Sequence, residues 1–575
     1  MTAKTKKENK VLRLEEAIGA YVKPGLTLHL AAGLGGPGAA TCEIIRQFYN
    51  AAPNFKLIQS TVTGHAINLV HCNLLSKLFF SACIEISVSA HPSKVIQKAF
   101  AERKVEFENW SLLSLQQRLM AGAMGIDFIP TRSILGSTMA SENRMSFKEI
   151  DDPFDKGKTV GILKCLNPDL SIVHGCAADD IGNTILAVPY GDDIWGALGS
   201  KGGVIVTVEK VVSSDVIRKY SALVKIPSSH VIAVCPVPMG IHPFSFTSPA
   251  EDVAESYEAD EDFLRDLHIA SEDSQRLDDW LEEWVLGCED HERFLNKLGT
   301  RRISKLKRRA LEKISIKKPG DAPSDFSEGY SENEMLLIAA SREIVDSVIK
   351  SNHKTMLVGA GSRGIAATVA YYELIKMGYE IDLITGNGQI GYLPQPGESS
   401  AQTVAALKSS KMLTDTITTH GVFVGGKNSR CLSVLGAGQV DRHGNINSSR
   451  TSDGEFLVGT GGANDAVNAR EVILILNQSK KRFVETLPYV TARGDRVSKV
   501  ISTMGVFIKK PGKSELILKA CFPEQKTRSL EEMIKKIENN CGWALEKDDD
   551  LTMIPEPGRE ELNLLRFLFS SETKG

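Results

Sequence analysis

The sequence predicts an α/β protein: two similar open domains with mostly parallel sheets, fused in one chain. Three observations carry that expectation. Short β-rich apolar runs lead through glycine loops into helical patterns; this order recurs in both halves; and paired turn motifs repeat at matching spacings. At 575 residues the chain also exceeds the length at which one core keeps growing.

The first half opens with LTLHLAA, GLGGPG and AATCEIIRQF, read as a strand, a tight loop carrying Gly35 and Gly36, and a helix. From Leu264 to Leu311 the pattern is helical and charged, as in DWLEEWVLGCEDHERFLNKLG and KLKRRALEK. Residues 317–331, KKPGDAPSDFSEGYS, mix Pro, Gly, Ser and Asp without periodicity, as a linker does. Ser331 and Glu334 then form a capping-box pattern that starts a helix. The expected division is 1–316, a linker at 317–330, and 331–575. The second half repeats the opening theme with KTMLVGA, GSRG and IAATVAYYELIKMG.

The repeat extends to turns. LSIVHGCAADDIGNTI in the first half matches LSVLGAGQVDRHGNINSS in the second. From Asn183 to Glu209 and from Asn445 to Arg470 the separations are 26 and 25 residues. Each Asp…Gly-Asn turn ends a strand, because Asp and Asn accept local backbone hydrogen bonds and Gly tolerates positive φ. Two copies of one fold leave a crevice between them, where ligands of open α/β folds bind.

Composition narrows the function. Apolar residues are 42% and charged residues 24% of the chain, and 71 acidic against 68 basic side chains leave a net charge of −3. That balance disfavours nucleic acid or a membrane surface as partner. Ten cysteines without a Cys-x-x-Cys read as reduced, buried thiols. The start, MTAKTKKENK, leads into no apolar stretch, and no run reaches about 18 apolar residues. A cytoplasmic enzyme is the expectation.

Gly359–Gly364 is a G-x-G-x-x-G after a strand, with Glu380 and Asp382 near the distance of a ribose-binding acid. Its amides suit any phosphate or carboxylate, and the following YEIDLITGNGQIG opens on a second glycine loop, which weighs against a dinucleotide. GTGGAN, residues 459–464, packs three glycines into a turn whose amides can face an oxyanion. His29, His65, His71, His91, His174, His420 and His443 show no metal spacing and read as structural, so no metal is expected. No hydrolase elbow or Walker sequence occurs.

Taken together, GLGGPGAA, FENWSLLSLQQRLMAGAMGIDFIPTRSILGS, LNPDLSIVHGCAADDIGNT, GAGSRGIAA, LGAGQVDRHGNINSS, GTGGAN and KKRFVETLPYVTARG resemble family I CoA-transferases, nearest the two subunits of glutaconate CoA-transferase. The resemblance runs from about residue 11 to 525 and places a first-subunit and a second-subunit counterpart in one polypeptide. It implies an acyl-CoA substrate, coenzyme A as part of that substrate in place of a separate cofactor, and a homodimer. In that family a glutamate of the second-subunit half attacks the acyl-CoA, dividing CoA exchange into covalent steps. The segment here reads Ile384-Thr385-Gly386-Asn387-Gly388-Gln389, and Gly386 takes the glutamate's place.

Three readings follow from that absence. One is an acyl-CoA hydrolase, including C–C cleavage of a cyclic oxoacyl-CoA, as the resemblance to the ring-opening hydrolases of steroid catabolism implies. For it, Arg132 fits the family's arginine position; the family's glutamate falls on Ser111 or Leu112, with Glu108 one turn away as candidate base. The second is a true CoA-transferase using a displaced carboxylate, Glu398. The third is a CoA-ester-binding protein without chemistry. The expected substrate-binding set is Gly386, Asn387, Gly388, Gln389, Gly436, Gln439, Gly461, Gly462, Ala463, Asn464, Gly35 and Gly36.

Overall fold

The structure is a computed structural model describing residues 9–31, 33, 35–86, 90–311, 329–359, 361, 364–394, 403–523 and 529–569. Its two large sheets divide between the halves. In the first, β1 (Thr27–Ala31), β2 (Phe55–Ile58), β3 (Leu75–Phe80) and β4 (Glu106–Asn109) lie side by side and parallel. Beyond β1 the sheet continues with β5 (Leu170–Asp179), then β7 (Val204–Val212) and β9 (Val231–Pro236), again parallel. Antiparallel β6 (Thr184–Leu186) and β8 (Val224–Ile226) extend it past the end of β1. All ten residues of β5 are buried, as a central parallel strand covered on both faces requires.

The second half centres on β10 (Thr355–Val358), flanked by β11 (Asp382–Ile384) and by β12 (Cys431–Gly436), β13 (Glu471–Leu476) and β14 (Val497–Ser502), all parallel. Period-two alternation assigns its side chains to two cores. Ile473 and Ile475 join one, Val472, Leu474 and Leu476 the other. Thus β1–β5–β7–β9 and β10–β12–β13–β14 are equivalent rows, as the sequence repeat predicts.

The repeated turns are also equivalent. Asn183 donates its backbone N–H to Asp179 Oδ1 (2.8 Å) and its side-chain amide to Oδ2 (3.0 Å); Asn445 does the same with Asp441 at 2.9 and 2.8 Å.

The helical stretch after residue 260 packs Phe263, Trp280 and Phe294 into the first core. Residues 317–328 of the expected linker lie outside the described residues. Past it, the next helix begins as anticipated. Ser331 caps the helix Glu332–Ser351, accepting from the Glu334 N–H, while Glu334 accepts from the Ser331 N–H. All ten cysteines are free, eight of them buried.

The halves interlock at the ends of these strands. Gly461 donates its N–H to the Ser81 carbonyl, Cys83 donates to Val458, and the Leu112 N–H donates to Gly461, each within 2.9–3.0 Å. Tyr190 and Thr416 make the corresponding contacts on the other flank, to Thr414 and Gly191.

Candidate functional site

The chain leaves β11 and turns at Thr385–Gly388. Thr385 Oγ1 stands 2.5 Å from Asn387 Oδ1 and 3.0 Å from the buried Gln389 Oε1, and the Thr385 N–H donates to Gln389. Gly388 is required: its φ is +115°, and an added Cβ would lie 2.1 Å from the Thr414 carbonyl oxygen. Gly386 is different. Its φ is not positive, so the backbone would accept a side chain there. What stands in the way is His420, whose Nε2 lies 2.8 Å from where that Cβ would be.

His420 belongs to a π-helix, Ile417–Val424, packed against α1 (Leu112–Ala123) of the first half and against α2 (Ala463–Ala466). Its ring also lies 3.1 Å from the Cβ position of Gly462, so two glycines border one imidazole. The ring is 2% exposed, and neither nitrogen has a hydrogen-bond partner among the described residues. Buried polar atoms are normally paired; His29, His65 and His242 each leave one buried ring nitrogen unpartnered among the described residues, and His420, beside two half-exposed glycines, leaves both. Burial holds the imidazole below its ordinary pKa, partly opposed by Asp465, so it is neutral near pH 7.

Asp465 follows GTGGAN directly and is fully buried. Its Oδ1 accepts from Ser111 Oγ (2.8 Å) and Ser133 Oγ (2.6 Å), and its Oδ2 from the Leu113 N–H (2.9 Å). Ser111 is also the N-cap of α1, accepting from the Ser114 N–H. A carboxylate from the second half therefore sits on the N-terminus of a first-half helix, where the helix dipole favours negative charge. Burial nonetheless pushes its pKa up, with His420 and these donors opposing.

Within GTGGAN the Gly461 amide is committed to Ser81, while no carbonyl among the described residues accepts from the Gly462 amide. Asn464 is buried and donates to Thr460 Oγ1 at 3.0 Å; Ala463 is half-exposed and begins α2. Three residues past Ser133, Gly136 borders a cleft of about 650 Å³ whose other lining residues belong to the second half, among them His443, Arg493, Lys509, Lys513 and Asp495.

Glu108, on β4, accepts from Arg118 Nη1 (2.8 Å) and Trp110 Nε1 (2.9 Å) and pairs with Lys77 (2.6 Å). Burial would raise its pKa, but Arg118 and Lys77 outweigh it and hold the carboxyl below the ordinary range. Strand alternation turns Glu108 from the site, whereas the neighbouring Asn109 donates to Ser81 beside Gly459. Arg132 is exposed, and no ion pair with it occurs among the described residues. Glu398 lies outside the described residues, as do Ala360, Ser362 and Arg363 of the G-x-G-x-x-G. Gly35 is buried against Phe244, and Gly36, at φ +71°, against Gln59. Gly436 ends β12 in solvent, and Gln439 braces a hairpin by donating to Lys481 and accepting from Asn447. The structure thus brings together Gly386, Gly462, Ser111 and Leu112, and adds His420, Ser133 and Asp465. Asp465 was signalled by its place after GTGGAN; His420, a lone histidine in TTHGVF, carries no sequence signal.

The family profile described as Coenzyme A transferase matches residues 11–235. The A component of the two-part glutaconate CoA-transferase of Acidaminococcus fermentans is 28% identical over 319 residues, 52% of this chain and 95% of the relative. The B component of the 3-oxoadipate CoA-transferase of Pseudomonas knackmussii is 30% identical over 261 residues, 42% of this chain and 93% of the relative. The chain belongs to the coenzyme A transferase family. Within this family it resembles the two component polypeptides of such a transferase fused into one. An acyl-CoA transferase structure from Escherichia coli O157:H7 covers 98% of both chains with a TM-score of 0.63 at 15% identity, a likeness of fold. In this CoA-transferase-family protein, no helix among the described residues is long and apolar enough to cross a membrane.

Proposed function

We propose that this protein acts on an acyl-CoA and hydrolyses it, without the covalent carboxylate of a ping-pong transferase. The observation that supports this is the pairing of Gly386 with His420. At the position where the family resemblance puts a nucleophilic glutamate there is no side chain, and the imidazole occupies the direction one would take. A carboxylate at 386 would have to displace the ring.

The acyl group would lie along the half-exposed rim of Leu112, Gly386, Asn387, Gly461 and Gly462, with the Gly462 amide available to a developing oxyanion. Such a donor is typically worth about 3 kcal/mol of transition-state stabilisation. The cleft beside Gly136 is the candidate for the phosphates of coenzyme A: Arg493 pairs with Asp495 and Lys513 with Glu546, which leaves Lys509, donating to the Gly494 carbonyl, as its net positive charge. Arg132, free of ion pairs among the described residues, is available to a substrate's negative charge. Glu108, paired to two cations, is poorly placed to take a proton. C–C cleavage of a cyclic oxoacyl-CoA uses the same water attack on a ring ketone. The exposed Phe128, Met145, Ile150 and Phe154 around a three-stranded sheet offer a surface for a second copy, the expected homodimer.

The test is to follow thiol release from a panel of acyl-CoA esters with and without labelled acetate, then trap with hydroxylamine. Release without an acceptor and without an adduct is expected. Turnover that requires the acceptor, with coenzyme A bonded to Glu398, would overturn the reading in favour of transfer.

A further inference from the structure

We propose that His420 is the general base of this site, taking the proton from the water that attacks the acyl carbonyl. The inference rests on the hydrolytic reading and deepens it by naming the group that replaces the missing carboxylate.

Three independent features converge on the ring. It lies against the glycine that stands in the nucleophile's place, with Nε2 2.8 Å from the missing Cβ. It is also 3.1 Å from the Cβ position of Gly462, whose amide has no carbonyl partner among the described residues. A base and an oxyanion donor therefore border the same small volume, the juxtaposition that hydrolysis of an ester-like carbonyl needs. Finally, Nδ1 and Nε2 are both buried without partners among the described residues, whereas a purely structural histidine such as His174 satisfies both nitrogens, with Thr207 at 2.9 Å and Glu209 at 3.0 Å.

The step balances without an oxidant or a metal. Nε2 accepts a proton from water as the water oxygen bonds to the thioester carbon; the carbonyl π pair moves to oxygen, beside the Gly462 amide. When the carbonyl re-forms, the carbon–sulfur bond breaks and the imidazolium returns its proton to the thiolate. The products are a carboxylic acid and coenzyme A. Asp465 stabilises the transient imidazolium electrostatically while held by Ser111, Ser133 and the Leu113 N–H.

Other charged or titratable groups on the elements packed against the ring do not compete. Arg118 of α1 is turned to Glu108, and Cys431 of β12 is a buried thiol pushed up to about 11. The neutral form of His420, favoured by burial, is the form a base requires.

The experiment compares wild type, His420→Gln and Gly386→Ala in acceptor-free thiol release across pH 5 to 9, with melting temperature and affinity for a non-hydrolysable acyl-CoA ether as controls. For His420→Gln we expect kcat to fall at least 100-fold with ether affinity within about threefold, and the acid limb of the wild-type pH profile to vanish from the residual rate. Gly386→Ala, whose Cβ would crowd Nε2, should lose at least 10-fold in kcat while remaining folded. If wild type hydrolyses and either folded variant keeps turnover within threefold, the assignment of His420 is overturned while the hydrolytic reading stands. If wild type releases thiol only with an acceptor acid, the hydrolytic reading itself fails.

Discussion

The glycine loop after β1 in the first half and the one after β11 in the second both leave a parallel strand, yet the two loops meet different neighbours. At Gly35 an added Cβ would lie 1.9 Å from the Phe244 ring, so the first-half loop is closed by an aromatic plug. At Gly386 the neighbour is the imidazole of His420, and the glycine is half-exposed. The repeated Asp–Asn turns, by contrast, agree to within 0.2 Å in both of their shared hydrogen bonds. The repeated turns share one packing arrangement, while of these two glycine loops one is plugged and the other is open. The first half supplies the supporting hydroxyls and the helix N-terminus instead.

The halves should also answer acid differently, and this is the largest expected effect. In the first half, burial lowers His29 to about 4 and His65 to about 3. Unfolded, both bind protons near pH 6.5, so the stability they give the neutral fold is present above that pH and is lost as pH falls through 6.5 toward 4. The combined loss is on the order of 5 kcal/mol. In the second half, Glu471 is brought to about 2: burial raises its pKa, but hydrogen bonds from His353, Ser498 and Ser347 outweigh it. Its contribution is lost only below about pH 4.5. Burial also lowers His420 in the second half, but that residue lies in the π-helix and not on β13. Hydrogen exchange by segment between pH 7 and 4 should therefore show β1, which carries His29, opening before β13; simultaneous opening would break the comparison.

Next in size is Asp465→Leu, which removes the acceptor shared by two buried hydroxyls and strands the Leu113 N–H at the start of a helix of the other half. It should cost about 3 kcal/mol in urea unfolding, with α1 losing exchange protection first. Gly35→Ala should cost about 2 kcal/mol, since Phe244 must move. Gly461→Ala meets nothing within 4 Å and pays only for its φ of +52°, about 1 kcal/mol. A larger penalty at Gly461 than at Gly35 would reverse the open-versus-plugged distinction.

Much of the fold was legible because it is local. Strand, glycine loop and helix follow one another in LTLHLAAGLGGPGAATCEIIRQF, and the Ser331–Glu334 capping box forms where its spacing says. The site was legible in part. Gly386 and the GTGGAN loop announce themselves by what the family pattern leads one to expect there. His420 does not, because its significance lies in a packing distance across a π-helix, which no periodicity records. Glu108 illustrates the converse: nearness of one turn in sequence counts for little on a strand, where adjacent residues face opposite ways. Ser111 and Leu112, the positions onto which the family's glutamate falls, do reach the site, but as a cap for α1 and as an apolar wall.

The carboxylate of Asp465 has one more consequence. Because it finishes the start of a helix encoded some 350 residues earlier, each half completes a buried polar group of the other. Severing the backbone between them should leave a nicked protein that stays assembled, whereas each piece synthesised alone would begin with an unfinished helix or an unanswered buried charge. Fusion into one gene product would then guarantee stoichiometry between two mutually dependent parts.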